Sequence, residues 1–222
     1  MRIVFILFLL ISSIYASSAL NEARYIHKTK GAYKAIPLFQ DLADEGNIEA
    51  MIDLARIFII GDRVQIDIKR AFHLLHKASK LNSARADYML GKIYQSKKSP
   101  YHDKIDAYNY FVDSANAGYG KAQEMLGKYF LFGKVVEKDY KKAIYYFKEA
   151  SKQRVYTANC YIAFMYANGY GVFPNFGRAH IFAKEQYEKG DKFCIKTWED
   201  FKLDRYPEDK GWKVGHYLKP IK

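Results

Sequence analysis

Few residues of this 222-residue chain are spaced in a way that could support catalysis or bind a metal ion. His73 and His76 lie three positions apart, which brings two side chains to one face of a helix and could suit a pair of metal ligands. No acidic or cysteine partner joins them locally, so a surface or partly packed pair is the better interpretation. His180 is interpreted in the same way. The sequence predicts no metal site and no cofactor.

Motifs of the common catalytic classes are also absent. The sequence contains no H-E-x-x-H, no G-x-S-x-G and no phosphate-binding glycine loop. Cys160 and Cys194 are its two cysteines, and neither belongs to a local motif with histidine that would indicate a nucleophile. In an oxidising compartment they could pair instead. We therefore predict that the chain is not an enzyme and keep the two cysteines as a candidate disulfide.

The N-terminus has the layout of a secretory signal peptide. Arg2 precedes an apolar run over residues 3–14, and small residues follow at positions 16–19. A membrane anchor is the alternative, but the run is shorter than the roughly 20 residues that span a bilayer. We predict a cleaved signal peptide over residues 1–19 and a periplasmic or secreted protein with no transmembrane segment after cleavage.

The composition indicates a folded and strongly basic protein. Half of the residues are hydrophobic, which excludes a disordered chain. The formal net charge is +12, and loss of residues 1–19 would remove only Arg2 and leave +11. Such a charge favours an acidic protein, an anionic membrane face or nucleic acid as partner, and export makes nucleic acid the least suitable. The alternative is that the charge serves solubility alone.

A repeat of 36 residues organises most of the chain. Alanine recurs at this step in two series, and an aliphatic position follows the first series by four residues. The series are Ala50, Ala86, Ala122 and Ala158; Leu54, Leu90, Leu126 and Ile162; and Ala35, Ala71, Ala107, Ala143 and Ala179. Spacings of four place these residues on one face of a helix, so each unit is predicted to contain two helices.

The joints between the helices repeat as well. Polar residues that can accept hydrogen bonds from free N–H groups precede each second helix, and glycines follow three of the first helices. These residues are Asp67, Asp103, Asp139 and Asn175, and Gly61, Gly133 and Gly169. They are predicted to be N-terminal and C-terminal caps.

The pattern A-x-x-x-L-G-x-x-Y followed by G-x-x-V-x-x-D-x-x-x-A-x-x-x-F resembles the Sel1-like repeat family, a relative of the tetratricopeptide repeats. The resemblance implies an all-α fold, a right-handed α/α superhelical solenoid. The implied organisation is an N-terminal segment and leading helix over residues 20–46, four repeats over 47–190 (47–82, 83–118, 119–154 and 155–190), and a capping helix and basic tail over 191–222. The tail contains Trp212 and Tyr217 and is either a strap against the last helix or a partner-binding extension.

In this arrangement Cys160 lies on the first helix of the fourth repeat, and Cys194 lies on the capping helix that follows it. Neighbouring helix axes lie about 8–10 Å apart, whereas a disulfide needs Cα atoms within about 7 Å. A bridge therefore requires both side chains to face the seam, and the sequence leaves this open.

The resemblance also implies that the concave face, lined by first helices, binds another protein. Outward positions there form a basic stripe with apolar anchors beside it, a composition that binding hot spots favour. The stripe consists of Arg56, Arg85, Lys92, Lys121 and Lys128, with Tyr88, Ile52 and Phe164 as anchors. A partner with an acidic surface fits such a groove. The alternative is a solvated helix face with incidental lysines.

We therefore expect an exported, non-catalytic interaction module that is monomeric alone. It would act as an adaptor in an envelope complex or as an immunity protein that neutralises a toxic effector delivered to the periplasm. The alternative is a secreted enzyme like the cysteine-rich branch of the family, which is associated with penicillin binding and weak β-lactamase activity. That branch has a cysteine pair in each repeat, and this chain lacks both those pairs and an S-x-x-K motif.

Overall fold

The computed structural model describes residues 17–206, and the regular elements in that range are all helices. They are α1 (residues 17–30), α2 (Ala32–Asp44), α3 (Ile48–Ile60), α4 (Ile68–Lys80), α5 (Ala84–Gln95), α6 (Lys104–Asn116), α7 (Gly120–Phe132), α8 (Tyr140–Lys152), α9 (Thr157–Asn168), α10 (Phe176–Glu188), α11 (Lys192–Asp200) and a 3-10 turn (Leu203–Arg205). The prediction of an all-α repeat fold is confirmed. The apolar run at 3–14, Trp212 and Tyr217 lie outside the described residues.

The chain divides into two compact units, and the division falls between Ala107 and Tyr108. In the first unit α3 packs against α2 and α4, and α4 packs against α5. In the second unit α7 packs against α8, α8 against α9, and α9 against α10 and α11. Each unit is thus a series of helix pairs with its own apolar core.

The repeating columns form the cores of both units. The alanines of both series are fully buried, and the leucine column is at most 1% exposed. Phe39 and Leu75 fill the first core and Phe111 and Phe147 the second, all fully buried. Small residues also recur at the 36-residue step, next to the leucine position, as Ala55, Gly91, Gly127 and Ala163. At Gly127 a small residue is needed for the close approach of α7 and α8, because an added Cβ would lie 2.6 Å from Cε1 of Phe147.

The predicted caps are present in the structure. Oδ1 of Asp67, Asp103, Asp139 and Asn175 accepts a hydrogen bond from a backbone N–H in the first turn of the following helix. Their own N–H groups donate to the carbonyls of Phe58, Tyr94, Phe130 and Tyr166, each at 3.0 Å. Gly61, Gly133 and Gly169 adopt the left-handed conformation that ends α3, α7 and α9. The loop after α5 has no such glycine but closes with the same bond from Asp103 to Tyr94.

The leading part of the chain contains one helix more than the sequence indicated. Helix α1 continues through residues 25–30, at positions where the later 36-residue repeats have a loop. It continues because Tyr25 stands at the position at which Gly61 ends α3. The helix ends at Gly31, whose φ of 87° is left-handed and whose N–H donates to the carbonyl of His27. Leu20 and Ala23 of α1 are buried, so this helix belongs to the core of the first unit.

Candidate functional site

The predicted stripe is divided between the two units. Arg56, Arg85, Tyr88 and Lys92 belong to the first unit, and Lys121, Lys128 and Phe164 belong to the second. One predicted anchor is wrong, because Ile52 is fully buried and offers no surface to a partner. It points into the core because its helix, α3, is covered by α2 on one side and α4 on the other.

Two arginines of the stripe in the first unit are fixed by acidic side chains of α3. Arg85 pairs with Glu49 at 2.8 Å, and Arg56 pairs with Asp53 at 3.3 Å. Asp53 is 3% exposed, so its carboxylate needs a cationic partner such as Arg56 to be tolerated in the interior. The arginines are therefore held in place, and part of their charge is neutralised within the protein.

Arg24 of α1 completes this network and was missed in the sequence. Its guanidinium contacts Asp53 at 2.6 Å and Glu49 at 3.1 Å. Burial disfavours the charged form, but the hydrogen bond and charge of Asp53 outweigh it and raise the pKa of Arg24. A signal was available, because Glu49 and Asp53 are four residues apart and share a helix face with a buried column, which calls for a nearby cation.

The first unit contains an open cavity of about 700 Å³ at the C-terminal ends of α3 and α5. Its wall is apolar and built from Ile59, Ile60, Ile66, Ile68, Met89 and Ile93. The exposed fractions of Ile60 and Ile66 are 64% and 58%, which is high for large aliphatic side chains. This volume falls within the roughly 300–1,000 Å³ that ligand pockets occupy.

Basic side chains lie around this apolar wall. Arg56, Lys92 and Lys98 line the cavity together with Tyr88, and its twelve lining residues include no acidic one. Lys92 donates to Oε1 of Gln95 at 3.0 Å, and Lys98 is exposed on the loop after α5. Three of the predicted stripe residues, Arg56, Tyr88 and Lys92, are thus brought together at one cavity. Sequence reasoning missed the isoleucines, whose clustering depends on the path of two loops.

The stripe residues of the second unit are mostly engaged with neighbouring side chains. Lys128 pairs with Glu124 at 2.6 Å, and its ammonium lies 4.9 Å from the centre of the Tyr161 ring. Burial lowers the tendency of Lys128 to carry charge, but the charge of Glu124 overcomes this and raises the pKa. Phe164 packs 5.5 Å from Phe193, whereas Lys121 is exposed.

An aromatic cluster occupies this part of the second unit. Tyr161 stacks on Phe193 at 4.4 Å and on Phe147 at 4.8 Å, and its edge meets Phe132. Tyr170 stacks on Tyr140 at 4.5 Å and contacts Phe164 at 5.9 Å. Such pairs add to burial through the electrostatic complementarity of ring faces and edges.

The cavity and the aromatic cluster occupy equivalent positions of the repeat. A step of 72 residues, two repeats, converts the cavity residues of the first unit into the cluster residues of the second. Ile60, Ile68, Met89, Lys92 and Lys98 become Phe132, Tyr140, Tyr161, Phe164 and Tyr170. The same step takes Arg56 to Lys128. The position is therefore open in the first unit and filled by the protein's own rings in the second.

The two cysteines, His76 and His180 make contacts with other residues of the fold. Cys160 of α9 and Cys194 of α11 form a disulfide with Sγ atoms 2.04 Å apart and Cα atoms 4.9 Å apart. Asp191 brings a third potential metal ligand within 4.8 Å, but the two sulfurs are bonded to each other. His76 packs against Phe72, and His180 donates from Nδ1 to the carbonyl of Leu203 at 2.8 Å.

Comparison with known families identifies the repeat. A family profile for the Sel1 repeat matches residues 48–83, 120–155 and 157–191. The profile leaves out the second repeat of the sequence analysis, in which the loop glycine is missing and residues 97–100 form a different turn. No curated protein matches the sequence. Within the described residues, no helix is long and apolar enough to cross a membrane.

Solved structures share this fold at low sequence identity. A Sel1 repeat protein from Oxalobacter formigenes has a TM-score of 0.74 and 19% identity, with 88% of this chain and 83% of that chain covered. A protective antigen of uropathogenic Escherichia coli has a TM-score of 0.75 and 20% identity, with 91% of this chain and 44% of that chain covered. An immunity protein of Pseudomonas aeruginosa has a TM-score of 0.61 and 17% identity, with 91% of this chain and 78% of that chain covered.

Proposed function

This chain is a Sel1-like repeat protein, and we propose that it binds a partner protein through the cavity at the ends of α3 and α5. Sel1 repeats form protein-interaction modules, and the chain offers a surface of that kind. The partner is an acidic protein, and binding requires shape and charge complementarity without bond chemistry.

One observation carries this proposal: the cavity combines an exposed isoleucine wall with a basic border. Exposed aliphatic side chains grouped in a concavity are unfavourable in water, and they typically mark an interaction site. Arg56, Lys92 and Lys98 add a positive potential that attracts an acidic surface and excludes a basic one. Because Arg56 is held by Asp53, it loses little conformational freedom on binding.

The setting we propose is the periplasm or the exterior of the cell, after removal of residues 1–19. Cleavage there would leave most of α1, including buried Leu20 and Ala23, in the core of the first unit. The disulfide between Cys160 and Cys194 is suited to an oxidising compartment. In that setting the module acts as an adaptor of an envelope complex or as an immunity protein. A protein described as an immunity protein has a similar fold, which is compatible with the second role.

The experiment compares capture by the mature protein and by a variant whose cavity is filled. Met89→Tyr with Lys92→Phe introduces the residues of the second unit, and Lys141→Glu, at an exposed position of α8 outside the stripe, serves as a control. Each protein is used to capture partners from the cell envelope at low and high salt, and captured proteins are quantified by mass spectrometry. We expect one acidic protein, lost with the filled variant and at high salt but retained with Lys141→Glu. Equal capture by the wild type and the filled variant would contradict the cavity as the site.

A further inference from the structure

The aromatic cluster of the second unit shows which side chains this position of the repeat accepts. The Tyr161 ring stacks on Phe193 at 4.4 Å and on Phe147 at 4.8 Å, and the ammonium of Lys128 lies 4.9 Å from its centre. Lys128 is itself held by Glu124, one turn earlier on α7. A cation above an aromatic face is stabilised by the electron density of the ring. The cluster thus combines apolar walls, a fixed cation and aromatic rings.

The first unit has the fixed cation and the apolar walls, and the one ring that lines its cavity, Tyr88, stands at the position of Cys160 and not at that of Tyr161 or Phe164. Arg56 stands in the place of Lys128 and is held by Asp53, one turn earlier on α3. The apolar walls are provided by isoleucines. Met89 and Lys92 stand in place of Tyr161 and Phe164, so the rings are absent and about 700 Å³ is left open. A ring supplied from outside could therefore meet Arg56 as Tyr161 meets Lys128.

The border of the cavity indicates what flanks such a ring. Lys92 lies on α5 and Lys98 on the loop that follows it, so the two ammonium groups belong to different elements. Cations spread over two elements match several separate carboxylates better than one compact headgroup. A short acidic peptide segment provides that arrangement and also carries side chains for the apolar wall.

We propose that the cavity of the first unit binds a segment of the partner protein in which an aromatic side chain is flanked by carboxylates. This inference rests on the proposed function, because it specifies the occupant of the same cavity. The ring enters between the isoleucines beside Arg56, and the carboxylates contact Lys92 and Lys98. The partner supplies to the first unit the aromatic group that the second unit supplies to itself.

The isoleucine wall provides a direct test by NMR of the mature protein with labelled isoleucine methyl groups. The probe is a blocked heptapeptide with one phenylalanine between two pairs of aspartates. We expect upfield ring-current shifts at Ile60, Ile66 and Ile93. Peptides with alanine in place of phenylalanine, or lysine in place of aspartate, should bind at least about tenfold more weakly, the effect of losing one good anchor.

Two sets of variants make the result specific. Met89→Tyr with Lys92→Phe should abolish the shifts, and its thermal unfolding shows whether it is folded. Should it not fold, Lys92→Glu with Lys98→Glu should weaken the phenylalanine peptide about tenfold, whereas Lys141→Glu, at an exposed position of α8 outside the stripe, should leave binding unchanged.

The outcomes separate this inference from the proposed function. Equal binding of the phenylalanine and alanine peptides would overturn the aromatic occupant. Laurate, a fatty acid with no aromatic ring, serves as a second probe, and methyl shifts caused by laurate but by neither peptide would also overturn it. If protein capture were nevertheless lost with the filled variant, the cavity would remain the partner site with a different occupant. Unchanged binding of both the peptide and the protein to the filled variant would overturn both statements.

Discussion

The same position of the repeat is an open cavity in the first unit and an aromatic cluster in the second. In both units a cation stands at the equivalent position and is held by an acidic residue one turn earlier, Arg56 by Asp53 and Lys128 by Glu124. The difference lies in the side chains that fill the frame. Met89 and Lys92 leave the space open, whereas Tyr161 and Phe164 occupy it.

This difference shows how a repeat can separate stability from binding. In the second unit the rings contact one another and contribute to folding. In the first unit the apolar wall faces water and contributes little until something covers it. Exchanging the residues between the two positions should therefore move stability from one unit to the other.

The largest effect is expected from opening the second unit. Tyr161→Met with Phe164→Lys would remove ring contacts with Phe147, Phe193 and Tyr170. We expect a loss of about 3 kcal/mol in the free energy of unfolding, in the range of large core truncations. Denaturant unfolding followed by circular dichroism measures it. A loss no greater than that of the exposed control Lys121→Ala would contradict the stabilising role of the cluster.

The next effect concerns the close approach of two helices in the second unit. Gly127→Ala places a Cβ 2.6 Å from the Phe147 ring, so the ring or a helix must shift. We expect a loss of about 2 kcal/mol in unfolding free energy, as overpacking costs elsewhere. The equivalent residues of the first unit are Ala55 and Leu75. Adding Phe147→Leu to Gly127→Ala should therefore recover part of the lost unfolding free energy. If the loss of the double variant equalled the sum of the two single losses, the two positions would not be in the contact described here.

Filling the cavity should have a smaller and opposite effect. Met89→Tyr with Lys92→Phe covers exposed isoleucine surface and should raise the unfolding free energy by about 1 kcal/mol, as cavity-filling changes do. Thermal unfolding of the variant and of Lys92→Ala alone separates filling from the loss of a charge. A melting temperature below that of Lys92→Ala would mean that the rings cannot be accommodated in the first unit.

The smallest effects concern His76 and Lys148, which are equivalent positions of the two units. Burial lowers the pKa of both, and a nearby lysine, Lys80 or Lys152, lowers it further. The pKa of Lys148 falls to about 8 from the ordinary 10.5. Between about pH 8 and pH 10.5 the unfolded chain binds more protons at this lysine than the folded chain does, so the free energy of unfolding should rise with pH across this window.

The histidine of the first unit behaves in the same sense at lower pH. Because the pKa of His76 lies below its ordinary 6.5, stability should decrease as the pH falls below that value. NMR titration of the two side chains measures both. A Lys148 ammonium that titrates above pH 10 would contradict the burial described for it.

Most of the fold followed from the sequence because each repeat contains its own signals. The alanine and leucine columns, the capping residues Asp67, Asp139 and Asn175, and the left-handed glycines have local physical reasons, and all are in place. Helix α1 was not predicted, because the 36-residue pattern indicated only one leading helix before residue 47, and the glycine that would end α1 earlier is missing at position 25.

The site was predicted only in part, for reasons of packing. Counting positions on an ideal helix predicted that Arg56, Tyr88 and Lys92 share one surface, and all three line the cavity of the first unit. It also placed Ile52 there, although that side chain is buried between helices. The ion pairs of Arg85 with Glu49 and of Arg24 with Asp53 join different helices, which a single helix pattern does not contain. The pair of Arg56 with Asp53 lies within α3, at a spacing of three residues.

Site-specific photocrosslinking tests the difference between the two units most directly. A benzoylphenylalanine replaces Ile66, at the cavity of the first unit, or Lys138, its equivalent in the second. The full chain is expressed in its own cells and irradiated. We expect a crosslinked partner from position 66 and none from position 138. A partner crosslinked equally from both positions, or only from position 138, would contradict the claim that the open cavity of the first unit is the binding site.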